Sequence, residues 1–424
     1  MNKSETANYR TEQIIATEIA GQALRLGTRA GFPAWGHIAP ALELIAQYAQ
    51  VESGQRVLVC PCGHGALGVW AARHTPAERV TLLDTNSVAV EVAKRAASLN
   101  HCRGLHIVSA LPSSTGETYD VALMPQPKGR DLARLLLLDV FHSLREGGHL
   151  YYAGANDEGI KTAIKDAEAL YGPSQLLGYK SGNRAVCLTR GPLPDGGLPE
   201  AYQVPGLAAG SYHTFDVTLG EEHVTVCSRP GVFSWRELDA GTQLLLQTLQ
   251  VHVTERVLDV GCGYGVVGLH AQRRATKGSV TWLDVDLLAC ECTRATLAAN
   301  GVTGNVIQGD GIPAAASDAP FTLILSNPPF HSGHTVSNEV ADGFINEAYD
   351  ALEPRGRLVL VASRFLPYEQ AMTTRFGAAV TLAETPQYRV LSAEKIFQRK
   401  QRGRPTRRER QALAEAGETI YEIE

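Results

Sequence analysis

Apolar residues in this chain follow two alternating rhythms. Short runs that are apolar at nearly every position give way to longer stretches where apolar residues recur every three or four positions. The first rhythm marks buried strands; the second marks helices with one face on a core. In the C-terminal part, Arg256 to Val260 reads as a strand, Val266 to Arg274 as a helix and Val280 to Asp284 as a strand. An Ala/Leu-rich helix from Leu287 to Asn300 comes next, then strand-like segments at Val306 to Gln308, Phe321 to Leu325 and Arg357 to Ala362. This β/α alternation predicts an α/β fold with a mostly parallel, doubly wound sheet. Ligands of such sheets bind beyond the carboxyl ends of the strands.

The same pattern occurs twice. Residues 56–68 read RVLVCPCGHGALG and residues 256–268 read RVLDVGCGYGVVG, matched at an offset of 200. The offset persists at Leu83-Asp84 against Leu283-Asp284 and at Asn100 against Asn300, then drifts by a few residues. Between the copies, residues 191–206 read GPLPDGGLPEAYQVPG, a Pro/Gly density that continues neither a helix nor a central strand. The expected organisation is two tandem Rossmann-like domains arising by duplication: residues 1–190, a linker at 191–206, residues 207–398, and a tail at 399–424.

The chain has 424 residues, 44% of them hydrophobic and 20% charged, as in ordinary globular proteins. It contains no apolar run long enough for a membrane-spanning helix, and residues 1–6 lack a signal peptide's apolar core, so a cytoplasmic location is expected. The eight cysteines form no Cys-x-x-Cys pair, which predicts buried free thiols and no structural metal. Against a net charge of −5, seven Arg and Lys fall between Arg399 and Arg410, a candidate nucleic-acid contact.

The segment Asp259-Val-Gly261-Cys-Gly263-Tyr-Gly265 leaves a strand and enters a helix. Its glycines permit a tight turn and close backbone approach to a ligand, and Asp259, Gly261, Gly263 and Gly265 are candidate cofactor contacts. Asp284, ending the next strand, is placed to accept hydrogen bonds from ribose hydroxyls, and Asp310-Gly311, after the third strand, to accept an adenine amino group. No Lys or Arg flanks the glycine loop to meet a pyrophosphate, which favours S-adenosylmethionine over a dinucleotide.

Residues 321–333 read FTLILSNPPFHSG. A strand ends at Ser326, and the two prolines stiffen the turn beyond it. The amide oxygen of Asn327 and the carbonyl of Pro328 then offer two acceptors, and Phe330 offers a ring for stacking. Two acceptors suit an exocyclic amine, whose hydrogens they hold while its lone pair faces a methyl donor. His331 and His334 read as loop histidines.

These strings carry a resemblance. The second half resembles the class I S-adenosylmethionine-dependent methyltransferases, and among them the bacterial ribosomal RNA guanine-N2 methyltransferases of the RsmC/RlmG type. VLDVGCGYGVVG, SNPPFHSG and PGVFSWRELDAGTQLLL (230–246) support it. The last resembles the family's segment that closes over the cofactor, with Phe233, Leu238, Asp239 and Thr242 as candidates. The resemblance implies S-adenosylmethionine as cofactor and methylation of a guanine N2 in ribosomal RNA, with 16S RNA of the small subunit as the first expectation. A monomer is expected, since the fused duplicate supplies its own domain interface.

The first half departs from the pattern. Val59 stands for Asp259, Pro61 for Gly261, and Met124-Pro125-Gln126-Pro127-Lys128 for the Ser-Asn-Pro-Pro-Phe turn. A catalytically inactive copy that stabilises its partner and helps hold RNA is expected. Other readings stay open: methylation of a 23S guanine N2, of adenine N6 or of a release-factor glutamine, a non-catalytic RNA-binding assembly protein, and a nicotinamide oxidoreductase.

Overall fold

The computed structural model describes residues 12–29, 37–193, 196–312, 319–328 and 334–396, with backbone alone for 334–340. The first half runs β1 (Gln13–Ile19), β2 (Gln22–Thr28), α1 (Pro40–Tyr48), β3 (Val57–Val59), α2 (Ala66–Ala71), β4 (Val80–Asp84), α3 (Ser87–Leu99) and β5 (His106–Ser109). It continues with β6 (Tyr119–Pro125), α4 (Arg130–Ser143), β7 (Leu144–Ala155), α5 (Ile160–Tyr171), β8 (Gln175–Lys180) and β9 (Asn183–Thr189). The second half repeats this order as β10 (His213–Leu219), β11 (Glu222–Ser228), α6 (Ala240–Thr248), β12 (Arg256–Val260), α7 (Val266–Arg274), β13 (Ser279–Asp284), α8 (Leu287–Ala299) and β14 (Asn305–Gln308). It ends with β15 (Phe321–Ser326), α9 (His334–Ala351), β16 (Leu352–Ser363), α10 (Tyr368–Phe376), β17 (Val380–Glu384) and β18 (Tyr388–Glu394).

Each half builds one seven-stranded sheet, ordered β5-β4-β3-β6-β7-β9-β8 and β14-β13-β12-β15-β16-β18-β17. Six strands of each run in one direction, and β9 or β18, next to the last strand, is antiparallel to both its neighbours. Strand order reverses at β12, between β13 and β15, so the crevice opens beside the glycine loop. The inner strands are buried on both faces: Val57, Leu58 and Val59 of β3 are fully buried, as are Leu323, Ile324 and Leu325 of β15. That is why they read as solid apolar runs and not as alternating ones.

The segment expected at Arg357 to Ala362 is the inner part of the longer β16. The hairpin strands β8, β9, β17 and β18, and the hairpins opening each half, were not singled out from sequence. Those hairpins explain the repeated asparagine. Asn100 accepts from the Arg25 backbone N–H (3.0 Å) and donates to its carbonyl, while Asn300 does the same to Thr225 (3.3 and 2.7 Å). Each clamps a hairpin onto the end of its helix.

The two sheets meet at the loops that leave β4 and β13. Ser87 N–H donates to Val285 O (2.9 Å), Leu287 N–H to Thr85 O (2.8 Å), and Thr85 Oγ1 to Asp286 Oδ2 (2.9 Å). One hydrophobic cluster contains Leu135, Leu136 and Tyr152 of the first half with Val232, Leu245 and Leu288 of the second. The intervening segment is anchored too: Tyr202 is fully buried and donates to Asp166 O (2.7 Å). The aromatic in that Pro/Gly stretch is what pins the linker to the first half.

Candidate active site

The glycine loop joins β12 to α7. Gly263 has φ +58°, with Val232 of the preceding segment at 3.9 Å from where a Cβ would stand, and its N–H donates to Asp284 Oδ2 (3.0 Å). Gly265 has φ +82°, and a Cβ there would press against Thr293 at 2.8 Å. Thr293 Oγ1 donates to Gly263 O (3.0 Å) and Trp282 Nε1 to Gly265 O (3.1 Å), so side chains from α8 and β13 set the turn. Gly261 (φ +68°) has open space where a side chain would be, and Gly311 shares its positive φ (+68°).

Asp284 ends β13 in a backbone cradle: Gly263 N–H meets one carboxylate oxygen and Asp286 N–H the other (3.0 Å each). Burial pushes its pKa up to about 6 and the Asp286 charge adds to this, while the two N–H groups pull it back. The carboxylate retains lone pairs beyond these bonds, which suits a ribose diol.

Asp259 is placed differently from its expected contact role. It is 2% exposed, and its Oδ2 accepts from Gly268 N–H (2.8 Å) in the first turn of α7. Burial raises its pKa to about 7, with the Gly268 bond opposing. It braces the loop from beneath. Asp310, two residues past β14, is ion-paired with Arg29 of the first half at 2.7 Å.

Asn327 directly succeeds β15. Its amide nitrogen donates to Thr242 Oγ1 (2.9 Å) and to Asp239 Oδ2 (3.2 Å). Asp239 caps α6 by accepting from Thr242 N–H (2.9 Å). With both amide hydrogens committed, Asn327 Oδ1 is fixed in direction, buried, and without a hydrogen-bond partner among the described residues. An unpaired buried acceptor costs about 1–3 kcal/mol, a cost that an incoming N–H donor would remove. Thr242, expected at the cofactor, holds this amide.

Pro328 is buried beside Asn327. Phe330, His331 and the tail Arg399 to Arg410 lie outside the described residues. Phe233 lies in the segment between β11 and α6 and is 56% exposed, while Leu238 of that segment packs on the core. Tyr388 of β18 was missed from sequence: its ring lies 3.1 Å from where a Gly241 Cβ would stand, and it hydrogen-bonds Asp239. Nothing local in the sequence marks it, because strand pairing across the sheet brings it there.

The first half keeps part of this. Asp84 sits in the same cradle, accepting from Gly63 N–H (3.1 Å) and Asn86 N–H (3.0 Å). Strand register puts Val59 at the place of Asp259, Pro125 at that of Asn327, and buried Leu111 at that of Asp310. The loop brace, the amide acceptor and the carboxylate after the third strand are all missing.

The set Asp284, Asp310, the open glycine backbone and the orphaned Asn327 oxygen fits S-adenosylmethionine beside an amine-bearing substrate. Among the described residues no group of three His, Cys, Asp or Glu is placed to hold a metal, and no helix is long and apolar enough to cross a membrane.

The methyltransferase small domain family model matches residues 23–170 and 223–392. The chain is 38% identical over 275 residues to ribosomal RNA small subunit methyltransferase C of Pseudomonas putida (strain W619), covering 65% of this chain and 79% of that protein. It is 32% identical over 276 residues to the protein of the same name from Pseudoalteromonas atlantica (strain T6c), covering 65% and 77%. Among solved structures it is similar to the T. thermophilus 16S rRNA N2 G1207 methyltransferase in complex with AdoMet and guanosine. That match has TM-score 0.73 and 28% identity, and covers 92% of this chain and 99% of the other.

Proposed function

The chain belongs to the methyltransferase small domain family, and from that premise we propose that it methylates the exocyclic N2 amine of a guanine in 16S ribosomal RNA of the small subunit. The observation that carries this reading is the orphaned Asn327 oxygen, held by Thr242 and Asp239 at the end of β15. The small-subunit methyltransferases it resembles, and the T. thermophilus neighbour that holds both AdoMet and guanosine, support it.

Asp284 and the glycine-loop backbone hold S-adenosylmethionine, and Asp310 receives its adenine. Bound there, the cofactor supplies an electrophilic methyl group on a sulfonium. Asn327 Oδ1 and the Pro328 carbonyl accept the two hydrogens of the guanine amine. That turns its lone pair toward the methyl and stabilises the positive charge developing on nitrogen. The methylated nitrogen is then acidic and releases one proton to solvent, so no strong base is needed. Phe330 stacks on the guanine, which enters unpaired or flipped out. Phe233 covers the cofactor side.

The first half (1–190) acts as a non-catalytic partner that stabilises the second (207–398) and helps hold RNA. Val59, Pro125 and Leu111 support this, since each replaces a group the second half uses. The basic tail from Arg399 to Arg410 is the phosphate contact. The protein works as a cytoplasmic monomer. Incubation with labelled cofactor and either small subunits, large subunits or release factor tests the reading: label in small-subunit RNA alone supports it, and label in release factor or large-subunit RNA refutes it.

A further inference from the structure

Each half carries an arginine immediately after its opening hairpin: Arg29 comes after β2 and Arg229 after β11, at the same offset of 200 that relates the glycine loops. Equivalent in position, they differ in partners. Arg229 is 2% exposed and, among the described residues, makes no bond to the first half, donating to Gly206 O (3.1 Å) at the end of the linker and pairing with Glu291 (3.2 Å) of its own half. Arg29 leaves its half. Its Nη2 donates to Asp310 Oδ2 at 2.7 Å, with the two side chains only 15% and 17% exposed.

The strand before Asp310 is also held from across the interface. Gln308, its last residue, donates to Thr85 O (2.9 Å) and to Ser109 Oγ (2.8 Å) of the first half. The loop carrying Asp310 is therefore tied to the first half by the Gln308 side-chain amide at its root and by the Asp310 carboxylate.

We propose that Arg29 is a positioning residue of the cofactor site: the first half fixes the carboxylate that receives the adenine amino group. This rests on the assignment of Asp310 to adenine. A carboxylate has about four lone-pair sites, so one carboxylate can take a guanidinium and an amine together. The guanidinium holds the carboxylate in one orientation and removes rotamer freedom that would otherwise be lost on binding. The first half thus contributes to recognition of the cofactor it does not itself bind.

Full-length protein is titrated calorimetrically with S-adenosylhomocysteine and with S-inosylhomocysteine, which carries a 6-oxo group in place of the 6-amino group. Arg29→Ala is expected to weaken the adenosyl ligand roughly tenfold and to shrink the preference for it over the inosyl ligand. It also raises KM for the cofactor more than it lowers kcat. Arg29→Lys recovers part of the preference. Adding Arg29→Ala to Asp310→Ala costs nothing further. Unchanged preference in Arg29→Ala, or tighter binding as if a plug had been removed, overturns the proposal. Should Asp310→Ala leave the preference intact, the adenine assignment falls with it. Loss in Asp310→Ala but not in Arg29→Ala overturns the arginine's role alone.

Discussion

The side-chain nitrogen of Asn327 lies 2.9 Å from the hydroxyl of Thr242, and this bond points the amide oxygen. Thr242→Val removes the acceptor and lets the amide rotate. The expected result is a fall in kcat of about tenfold with cofactor affinity unchanged, while Thr242→Ser stays near wild type. Asn327→Ala loses the acceptor altogether and should cost about 100–1,000-fold in kcat. Single-turnover methylation with calorimetric cofactor binding separates the two effects. A Thr242→Val variant that lost cofactor affinity would return that residue to the cofactor contact expected from sequence.

Asp284 gives the site a pH dependence. Only the ionised carboxylate can accept from both ribose hydroxyls, so cofactor affinity should rise as pH increases through about 6 and level off above it. Asp284→Asn should weaken binding by about 1.5–3 kcal/mol and abolish that rise. Cofactor titrations between pH 5 and pH 8, roughly bracketing the transition, measure both.

Asp259 affects stability in the opposite sense. Its carboxyl holds a proton up to about pH 7 when folded but sheds it in the ordinary carboxylate range when unfolded. The group's contribution to stability therefore declines as pH rises from that range to about 7. Asp259→Asn keeps an acceptor for Gly268 N–H without the buried charge, so it should gain on wild type across that window. Urea midpoints at several pH values check this, and parallel pH curves for the two proteins would contradict it.

The first half should bind no cofactor of its own. Leu111, Val59 and Pro125 leave Asp84 as the one matching side chain among the four equivalent positions. Calorimetry should give one equivalent per chain, and Gln126→Ala should keep most of the activity. A second equivalent, or a collapse of activity in Gln126→Ala, would make the first half a working site.

Most of the second half's central sheet could be read from sequence, because strands buried on both faces and a glycine turn between strand and helix leave local signatures. Helix Val266–Arg274 and strand Arg256–Val260 came out with the expected bounds. The edge strands did not, since β17, spanning Val380–Glu384, is largely exposed and shows no apolar run. Within the site, Asp284 and Asn327 announced themselves by strand-end position. The bracing role of Asp259, the grip of Thr242 on Asn327 and the reach of Arg29 to Asp310 did not. Each depends on a partner at least nine residues away, and for Arg29 on the packing of one half against the other. Residue type alone could not distinguish a carboxylate facing a ligand from one facing its own loop.

Where the methyl group goes decides whether the Asn327 corner holds a guanine amine. Small subunits from cells lacking this gene are incubated with the purified protein and isotopically labelled S-adenosylmethionine, and the RNA is digested and sequenced by mass. Label is expected on the N2 of one guanine in 16S RNA, and is expected to be absent with Asn327→Ala. Label on an adenine N6, or none with a folded, cofactor-binding protein, would contradict that assignment.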